Sequence, residues 1–152
     1  MNRILVVCLG NICRSPLAEG VLLHLKEKYQ LNIIIDSAGT SNYHIGEAPD
    51  HRTIANAKKH KVDLSPLRAR QFIQSDFDNF DRIFVMDKSN KRNVLSLARH
   101  EQDIEKVDLF LNLLHPGKDL EVPDPYYGGE EGFENVFNLV WNASEKLMEE
   151  YK

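Results

Sequence analysis

Short runs of apolar residues alternate with amphipathic segments along most of the chain. The runs predict strands, and they cover residues 3–8, 32–40, 82–87 and 106–110. Segments with apolar residues three and four positions apart predict helices, and they cover residues 16–29, 50–61, 89–99 and 130–151. Ser15 followed by Pro16 is typical of a helix start and predicts Ser15 as the N-cap of the first helix.

This alternation predicts an α/β fold with three layers, in which a four-stranded parallel sheet carries helices on both faces. The length of 152 residues suggests a single domain, residues 1–152, which is long enough to bury a substantial core. Ligands of such sheets bind outside the carboxyl ends of the strands. We therefore expect chemistry in the loops that follow the strands, at residues 8–15, 37–49, 87–90 and 111–130.

Composition narrows the classes of protein that fit. The net charge of -4 argues against general nucleic-acid binding, and two cysteines cannot form the disulfide framework of a small secreted protein. The N-terminal residues lack the features of a signal peptide. No apolar run approaches the roughly 18 residues that a membrane span needs, so we expect a cytoplasmic protein without nucleic-acid or membrane partners.

The loop CLGNICRS at residues 8–15 combines a thiol with groups that bind an anion. A thiol attacks as thiolate, and Cys8 lies beside a helix N-terminus and Arg14, which both favour negative charge. Gly10 permits backbone torsions that let successive N–H groups point into one concavity, and the Ser15 hydroxyl can donate to sulfur. The loop therefore predicts a phosphate-binding site with a nucleophile at its floor.

An alternative is that Cys8 is a buried structural cysteine, since buried free cysteines are common. A cysteine followed by arginine six positions later is by itself a weak signal. The structural alternative leaves unexplained why Gly10, Arg14 and Ser15 occupy their particular places in the same loop.

The stretch CLGNICRSPLAE resembles the signature loop of the low-molecular-weight protein tyrosine phosphatases. The resemblance continues in order along essentially the whole chain, through DSAGT at 36–40, APD at 48–50, ARQF at 69–72, FDRIFVMDKSN at 80–90 and VPDPYYGGEEGFENVF at 122–137. The family fold, a four-stranded parallel sheet with flanking helices, agrees with the pattern above. The resemblance implies hydrolysis of phosphotyrosine through a phosphocysteine intermediate on Cys8. It also implies a phosphate-binding loop formed by Leu9, Gly10, Asn11, Ile12, Cys13, Arg14 and Ser15.

Expulsion of a phenolate calls for a general acid, because the parent phenol has a pKa of about 10. Asp124 lies between Pro123 and Pro125, which restrict the backbone on both sides of it. From the residues alone, Asp-Pro is more simply a common turn. The resemblance matches Asp124 to the family's general acid, which later acts as base on the water that hydrolyses the phosphocysteine.

The resemblance also implies supporting roles for polar residues around the loop. Asn11 would hold the loop in a strained turn and orient Ser15, and Ser15 would stabilise the departing thiolate in the second step. Ser37 and Asp87 would support the loop and the rim. From the residues alone, Asn11 and Ser37 are equally compatible with satisfying nearby backbone groups.

Substrate selection is expected from the walls of the site, because the loop holds only the phosphoryl group. Ile12 predicts a branched apolar wall, and Tyr43 falls near a rim position where family members often carry an aromatic residue, frequently tryptophan. Tyr126 and Tyr127 would supply the opposite side, although loop tyrosines are more often partly exposed packing residues. A deep slot between such walls predicts preference for phosphotyrosine.

Two interpretations fit the second cysteine of the loop, Cys13. The resemblance implies that it captures oxidised Cys8 as a disulfide and prevents irreversible oxidation. The alternative is a small buried residue beneath the loop. The six histidines form no metal-ligand pattern with each other or with cysteine, and nucleotide-binding motifs are absent from the sequence, so we expect neither a metal nor a cofactor.

The expected partners are phosphotyrosine-containing proteins or small aryl phosphates, with inorganic phosphate as product, and the chain is expected to be a monomer or weak dimer. Three rival functions remain open. Arsenate reductases of this fold need further cysteines, and none follows Cys13. Protein arginine phosphatases tend to carry threonine at the position of Ile12. A non-catalytic phosphate-binding module would be expected to lack Cys8 or Asp124.

Overall fold

A parallel sheet of four strands forms the centre of the protein in the computed structural model, which describes residues 2–125 and 129–152. In chain order the strands are β1 (Asn2–Cys8), β2 (Ile33–Gly39), β3 (Arg82–Val85) and β4 (Val107–Leu109). They stand side by side in the order β2-β1-β3-β4. The predicted α/β fold with an all-parallel sheet is confirmed.

Helices connect these strands and cover the sheet. They are α1 (Arg14–Tyr29), α2 (His51–Lys59), α3 (Asp76–Asn79), α4 (Lys88–Leu95), α5 (Glu101–Glu105) and α6 (Gly129–Glu149), with a 3-10 helix at Phe110–Leu113. The sequence pattern did not predict α3, α5 or the 3-10 helix, because a helix of one turn is too short to establish a periodicity. The predicted loop 111–130 consequently begins inside the 3-10 helix.

Two apolar clusters, one on each face of the sheet, make up the core. Successive side chains of a strand point to opposite faces, and Ile4 and Val6 of β1 pack in one cluster while Leu5 and Val7 pack in the other. The first cluster includes the inner faces of α1 and α6. The second includes side chains of α3 and α4, which completes the three layers.

The start of α1 differs from the prediction. The helix begins at Arg14 with Cys13 at the N-cap position, and no side chain caps it. Ser15 is therefore not the N-cap, because its hydroxyl is used in the hydrogen bonds behind Cys8 described below. Pro16 lies in the first turn of the helix, where its missing N–H costs no intrahelical hydrogen bond.

The sheet brings three chain segments to one edge. Cys8 at the end of β1 is in register with Gly39 of β2, and Val7 is in register with Val85 of β3. The loops that leave these strands therefore meet at the carboxyl edge, where parallel α/β sheets bind their ligands. In the described part of the chain, no helix is long and apolar enough to cross a membrane.

Candidate active site

Cys8 lies at the floor of a depression at the carboxyl edge of the sheet, and its side chain is buried. The backbone N–H of Asn11 donates to the sulfur at 3.3 Å. The Ser15 oxygen lies 3.0 Å from the same sulfur, and α1 begins directly behind it. Hydrogen bonds and the partial positive charge of a helix N-terminus both stabilise a thiolate, so the sulfur is placed as a nucleophile requires.

Asn11 holds the turn that wraps the loop round the sulfur. Its φ of 57° lies in the left-handed region, which asparagine tolerates better than most residues. Its amide Nδ2 donates to Ser15 Oγ at 2.7 Å and to Ser37 Oγ at 2.9 Å, and its Oδ1 accepts from the backbone N–H of Arg70 at 3.0 Å. All the hydrogen-bonding groups of the side chain are thus engaged in fixing a strained backbone.

Gly39, within the DSAGT stretch at 36–40, makes room for the same loop, a role that the sequence pattern did not predict. A Cβ at this position would lie 2.8 Å from the carbonyl oxygen of Leu9 and 3.0 Å from the backbone nitrogen of Asn11. The next two backbone N–H groups, of Thr40 and Ser41, donate to the carbonyl oxygens of Cys8 and Leu9, both at 2.9 Å. The end of β2 therefore supports the loop through its backbone, at a distance that only glycine permits.

Arg14 is a buried cation at the edge of the loop. Its Nη1 donates to Asp87 Oδ2 at 2.8 Å and to the carbonyl oxygen of Val122 at 3.0 Å. Burial by itself lowers the pKa of this guanidinium, but the negative charges of Cys8 and Asp87 outweigh burial, so that its pKa is raised overall. Asp87 is fixed in turn because it caps α4 by accepting from the N–H of Asn90 at 2.7 Å.

A cavity of about 580 Å³ opens above Cys8. Asp124 reaches it from the loop that precedes α6, so the predicted nucleophile and the predicted acid face the same space. The lining residues from the phosphate-binding loop are Cys8, Leu9, Gly10, Ile12, Cys13 and Arg14, and the remaining lining residues are Tyr43, His44, Glu47, Ala48, Pro49, Asp50, His51 and Asp124.

The wall formed by residues 43–51 is more polar than the sequence predicted. Tyr43 is 72% exposed and lines the cavity together with half-buried Ile12. His44 Nδ1 lies 3.0 Å from Glu47 Oε2 beside them, and Asp50 joins the loop by donating its N–H to the carbonyl oxygen of Ile12 at 2.7 Å. The family resemblance covered Asp50 within APD at 48–50, whereas no sequence signal separated His44 and Glu47 from an ordinary solvated loop.

The structure brings the predicted residues into two groups. Those that line the cavity are Cys8, Leu9, Gly10, Ile12, Cys13, Arg14, Tyr43 and Asp124. Those that lie behind the loop and hold it are Asn11, Ser15, Ser37 and Asp87. The predicted rim residues Tyr126 and Tyr127 lie outside the described residues.

Cys13 is buried beside the cavity. Burial raises the pKa of its thiol to about 12, and the negative charges of Asp50 and Cys8 act in the same direction. Cys13 is therefore a neutral thiol at physiological pH. Neither cysteine is in a disulfide. Within residues 2–125 and 129–152, no group of three or more metal-ligating side chains is found.

The fold and the site together are those of a cysteine-dependent phosphatase of the parallel-sheet type. The chain matches the family model for low molecular weight phosphotyrosine protein phosphatase over residues 3–152, and it belongs to this family. The family predicted from the sequence is thereby confirmed.

Relatives of similar length support the assignment. The chain is 42% identical over 149 residues to the low molecular weight phosphotyrosine protein phosphatase of Schizosaccharomyces pombe, covering 96% of this chain and 94% of the relative. It is 40% identical over 151 residues to the protein of the same name from Gallus gallus, covering 98% and 95%. The crystal structure of a protein tyrosine phosphatase from Entamoeba histolytica superimposes with a TM-score of 0.91 at 39% identity, covering 99% of this chain and 96% of that one.

Proposed function

We propose that residues 1–152 form one phosphatase domain that hydrolyses phosphotyrosine, with Cys8 as nucleophile, Arg14 as phosphate ligand and Asp124 as general acid. The observation that carries the proposal is the placement of Cys8. Its sulfur accepts from the Asn11 N–H at 3.3 Å, and Arg14 and Asp124 line the cavity above it.

The phosphoryl group binds in the loop formed by Leu9 to Ser15. Backbone N–H groups of this loop and the forked Arg14 side chain supply donors for three phosphate oxygens. Because Asp87 and Val122 already hold Arg14 in place, little side-chain entropy is lost when substrate binds.

In the first step the Cys8 thiolate attacks phosphorus, and an S–P bond forms as the P–O bond to the tyrosyl oxygen breaks. Asp124 gives its proton to that oxygen, so tyrosine departs as the neutral phenol. General-acid assistance of this kind contributes roughly 10²–10⁴-fold to the rate. The Asp124 carboxyl at the mouth is suited to meet a leaving group that points out of the cavity.

In the second step Asp124, now a carboxylate, takes a proton from a water molecule that attacks the phosphocysteine. The S–P bond breaks, inorganic phosphate forms, and Cys8 leaves as thiolate. Ser15, with its oxygen 3.0 Å from the sulfur, stabilises that thiolate by donating a hydrogen bond to it. Both steps use backbone and side-chain groups of this chain and one water molecule.

The substrates that fit are phosphotyrosine-containing proteins and small aryl phosphates. A related structure supports an aromatic group: that of Vibrio vulnificus Wzb, 30% identical with a TM-score of 0.86, is a complex with benzylphosphonate. The apolar surface of Ile12 and the ring of Tyr43 are placed at the mouth to contact a phenyl ring. We further propose that the protein is cytoplasmic and that it is a monomer or a weak dimer.

The rival functions are less well supported. The sequence holds two cysteines in all, which leaves no further thiol for a disulfide relay of the arsenate reductase kind. A protein arginine phosphatase is the closer alternative. That branch tends to carry threonine where this chain has half-buried Ile12 at the cavity, and threonine would give a smaller and more polar wall than Ile12 does. A non-catalytic module would not need both Cys8 and Asp124 facing one cavity.

Regulation by oxidation is part of the same proposal. Cys8 and Cys13 both line the cavity. The reactive Cys8 would be oxidised first, and the neutral Cys13 thiol would then capture it as a disulfide.

The proposal is tested with purified protein in EDTA. We expect Cys8→Ser to abolish turnover while keeping vanadate binding, because the loop donors remain. Asp124→Asn should slow phenyl phosphate hydrolysis at least about tenfold more than that of p-nitrophenyl phosphate, whose leaving group departs without a proton. Asp63→Asn, at an exposed position outside the cavity, serves as the matched control. Substantial turnover by Cys8→Ser, or an equal loss on both esters, would contradict the assignments.

A further inference from the structure

Behind the loop, α1 carries a carboxyl group that the mechanism above does not use. Glu19 is 9% exposed, and its Oε1 accepts a hydrogen bond from the hydroxyl of Ser37. The charged groups that act on it are Asp36 and Arg70. Arg70 is itself paired with Asp36 and Asp76. Burying a carboxyl group is costly. The position of Glu19 beside the residues that hold the phosphate-binding loop therefore needs a physical explanation.

The hydrogen-bond directions around Asn11 can be assigned from its partners. Its Oδ1 accepts from the backbone N–H of Arg70, which can only donate. The NH₂ group must therefore face Ser15 and Ser37, and it donates one hydrogen to each hydroxyl oxygen, at 2.7 and 2.9 Å. Because both hydroxyl oxygens already accept from Asn11, each serine proton must be donated elsewhere.

The two serine protons have different acceptors. Ser37 donates to Glu19. Ser15 has the sulfur of Cys8 at 3.0 Å and the carbonyl oxygen of Ala38 at 3.4 Å, and the sulfur is the nearer. The network thus runs from Asn11 outward in both directions, and one end is the carboxyl of Glu19 while the other is the nucleophile.

We propose that Glu19 is a positioning residue for Cys8, because its carboxyl accepts the Ser37 proton and so keeps the network in the direction in which Ser15 donates to the sulfur. The inference rests on the proposed function of Cys8. Without an acceptor at position 19, the Ser37 proton would lose its partner within this network. A flip of the Asn11 amide, with Oδ1 accepting from both serines, would satisfy that proton but would turn the NH₂ group toward the backbone N–H of Arg70. Either change weakens the hydrogen bond from Asn11 that orients the Ser15 hydroxyl toward Cys8.

The arrangement tolerates the protonation of Glu19 itself. Burial raises its pKa to about 7. A protonated carboxyl keeps one oxygen that accepts hydrogen bonds, so Ser37 has an acceptor on both sides of neutrality. For the same reason glutamine, which has an amide oxygen, is the conservative replacement, whereas leucine has a similar volume and no acceptor.

The experiment measures the thiolate directly. Iodoacetamide alkylates Cys8 as thiolate, and mass spectrometry separates its product from that of Cys13. Loss of a hydrogen bond to a charged group corresponds to about a tenfold effect, so we expect Glu19→Leu to slow alkylation at pH 6 by about that factor. It should lower kcat for p-nitrophenyl phosphate similarly, with KM changed less than about threefold. Glu19→Gln should remain within about threefold of wild type in both measurements.

Ser37→Ala provides a second route, because it separates Glu19 from Asn11 at a single link. We expect it to slow alkylation as Glu19→Leu does. The double variant should be no slower than either single one, since the two residues act in series. Asp103→Asn is the control for loss of a buried carboxylate. Asp103 lies on α5 and is bound by Arg99, so this variant should have a lower Tm and unchanged alkylation.

The inference is overturned if folded Glu19→Leu shows wild-type alkylation and kcat. If Glu19→Leu does not fold, the same result in Ser37→Ala overturns it. So would an effect of Glu19→Gln as large as that of Glu19→Leu. The alkylation readout does not depend on turnover. Failure of the proposed function, seen as activity in Cys8→Ser, is therefore distinguishable from failure of the role given to Glu19.

Discussion

Arg14 and Asp87 form an ion pair with 2.8 Å between Nη1 and Oδ2, and only 5% of the Arg14 side chain is exposed. The first residue begins α1 and the second caps α4. Since β1 and β3 are neighbours in the sheet, the pair joins the two loops that leave their carboxyl ends. The guanidinium is thereby oriented before any substrate arrives.

We expect Asp87→Asn to weaken substrate binding, because it removes the charge that holds Arg14. Asparagine is also a favourable N-cap, so α4 should keep its cap and the effect should be confined to the ion pair. A charge-assisted hydrogen bond is roughly twice as strong as a neutral one, which leads us to expect KM to rise about tenfold with a smaller change in kcat. Steady-state kinetics and Tm check this, and an unchanged KM would contradict it.

We expect Gly39→Ala to damage phosphate binding although the residue never touches substrate. Its Cβ would lie 2.8 Å from the Leu9 carbonyl oxygen, so the loop would have to move. Gly132→Ala is the matched control, since the nearest contact of its Cβ among the described residues would be the Pro125 carbonyl oxygen, at 3.9 Å. Vanadate inhibition should weaken at least about tenfold in Gly39→Ala. Gly132→Ala should be inhibited by vanadate as wild type is, and it should be about 0.5–1 kcal/mol more stable. Equal behaviour of the two variants would count against the packing argument.

The pKa of Glu19 makes stability depend on pH in a definite direction. Burial raises this pKa to about 7 from an ordinary value of 4.5, so the folded state binds the proton more tightly than the unfolded state. The stabilising contribution is complete below pH 4.5 and is lost as pH rises through 7. The two values differ by an amount equivalent to at most about 3 kcal/mol.

Glu19→Gln removes this titration while other groups stay common to both proteins. We therefore expect the unfolding free energy of wild type, measured relative to Glu19→Gln, to fall between pH 5 and pH 8. Urea unfolding at several pH values gives this difference. A difference that is flat with pH, or that rises, would show that Glu19 does not titrate in this range.

The local patterns of the chain were enough to predict the sheet, its main helices and the loop around Cys8. Buried parallel strands are continuous apolar runs in the sequence, which made the sheet predictable. The loop was predictable because Gly10 and Arg14 are close to Cys8 in the sequence. The first helix start was wrong because the Ser15 hydroxyl bonds to Cys8 and Asn11, and a tertiary demand of this kind overrides the local capping preference.

Features that depend on distant pairs were not predictable from patterns. The close approach of Gly39 to Leu9 follows from the register of β1 and β2. Glu19 has the sequence context of an ordinary helix residue, and only the packing of α1 against β2 brings it to Ser37. Asp124 needed the family resemblance as well, since an Asp-Pro turn alone does not indicate which cavity the carboxylate faces.

Oxidation should distinguish the two cysteines of the loop. Peroxide converts the Cys8 thiolate to a sulfenic acid, and the Cys13 thiol then displaces water to form the S–S bond. Since burial raises the pKa of Cys13 to about 12, it is not the residue that peroxide attacks first. After peroxide treatment we expect dithiothreitol to restore most activity in wild type and clearly less in Cys13→Ser. Equal recovery in the two proteins would argue against a protective disulfide.

Substrate selectivity is the property most directly tied to the walls of the cavity. The backbone N–H groups of the phosphate-binding loop are suited to bind the phosphoryl group alone, so we expect the group that carries it to be selected by the side chains of Ile12, Tyr43 and their neighbours. The pair formed by His44 and Glu47 at 3.0 Å adds a polar section to this wall. A phenyl ring gains from the apolar and aromatic section, whereas a guanidinium would gain from the carboxylate.

We expect the apolar section to prevail, because aromatic contacts contribute about 0.5–1.5 kcal/mol beyond area burial, whereas an exposed ion pair contributes about 0–1 kcal/mol and Glu47 is 58% exposed. Wild type should therefore prefer phosphotyrosine to phosphoserine and phosphoarginine peptides in kcat/KM. Ile12→Thr should shift the ratio toward phosphoarginine by opening the wall, and Tyr43→Ala should raise KM for phosphotyrosine more than it lowers kcat. If wild type cleaves phosphoarginine at least as well as phosphotyrosine, the polar section dominates selection and the arginine phosphatase alternative replaces the present one.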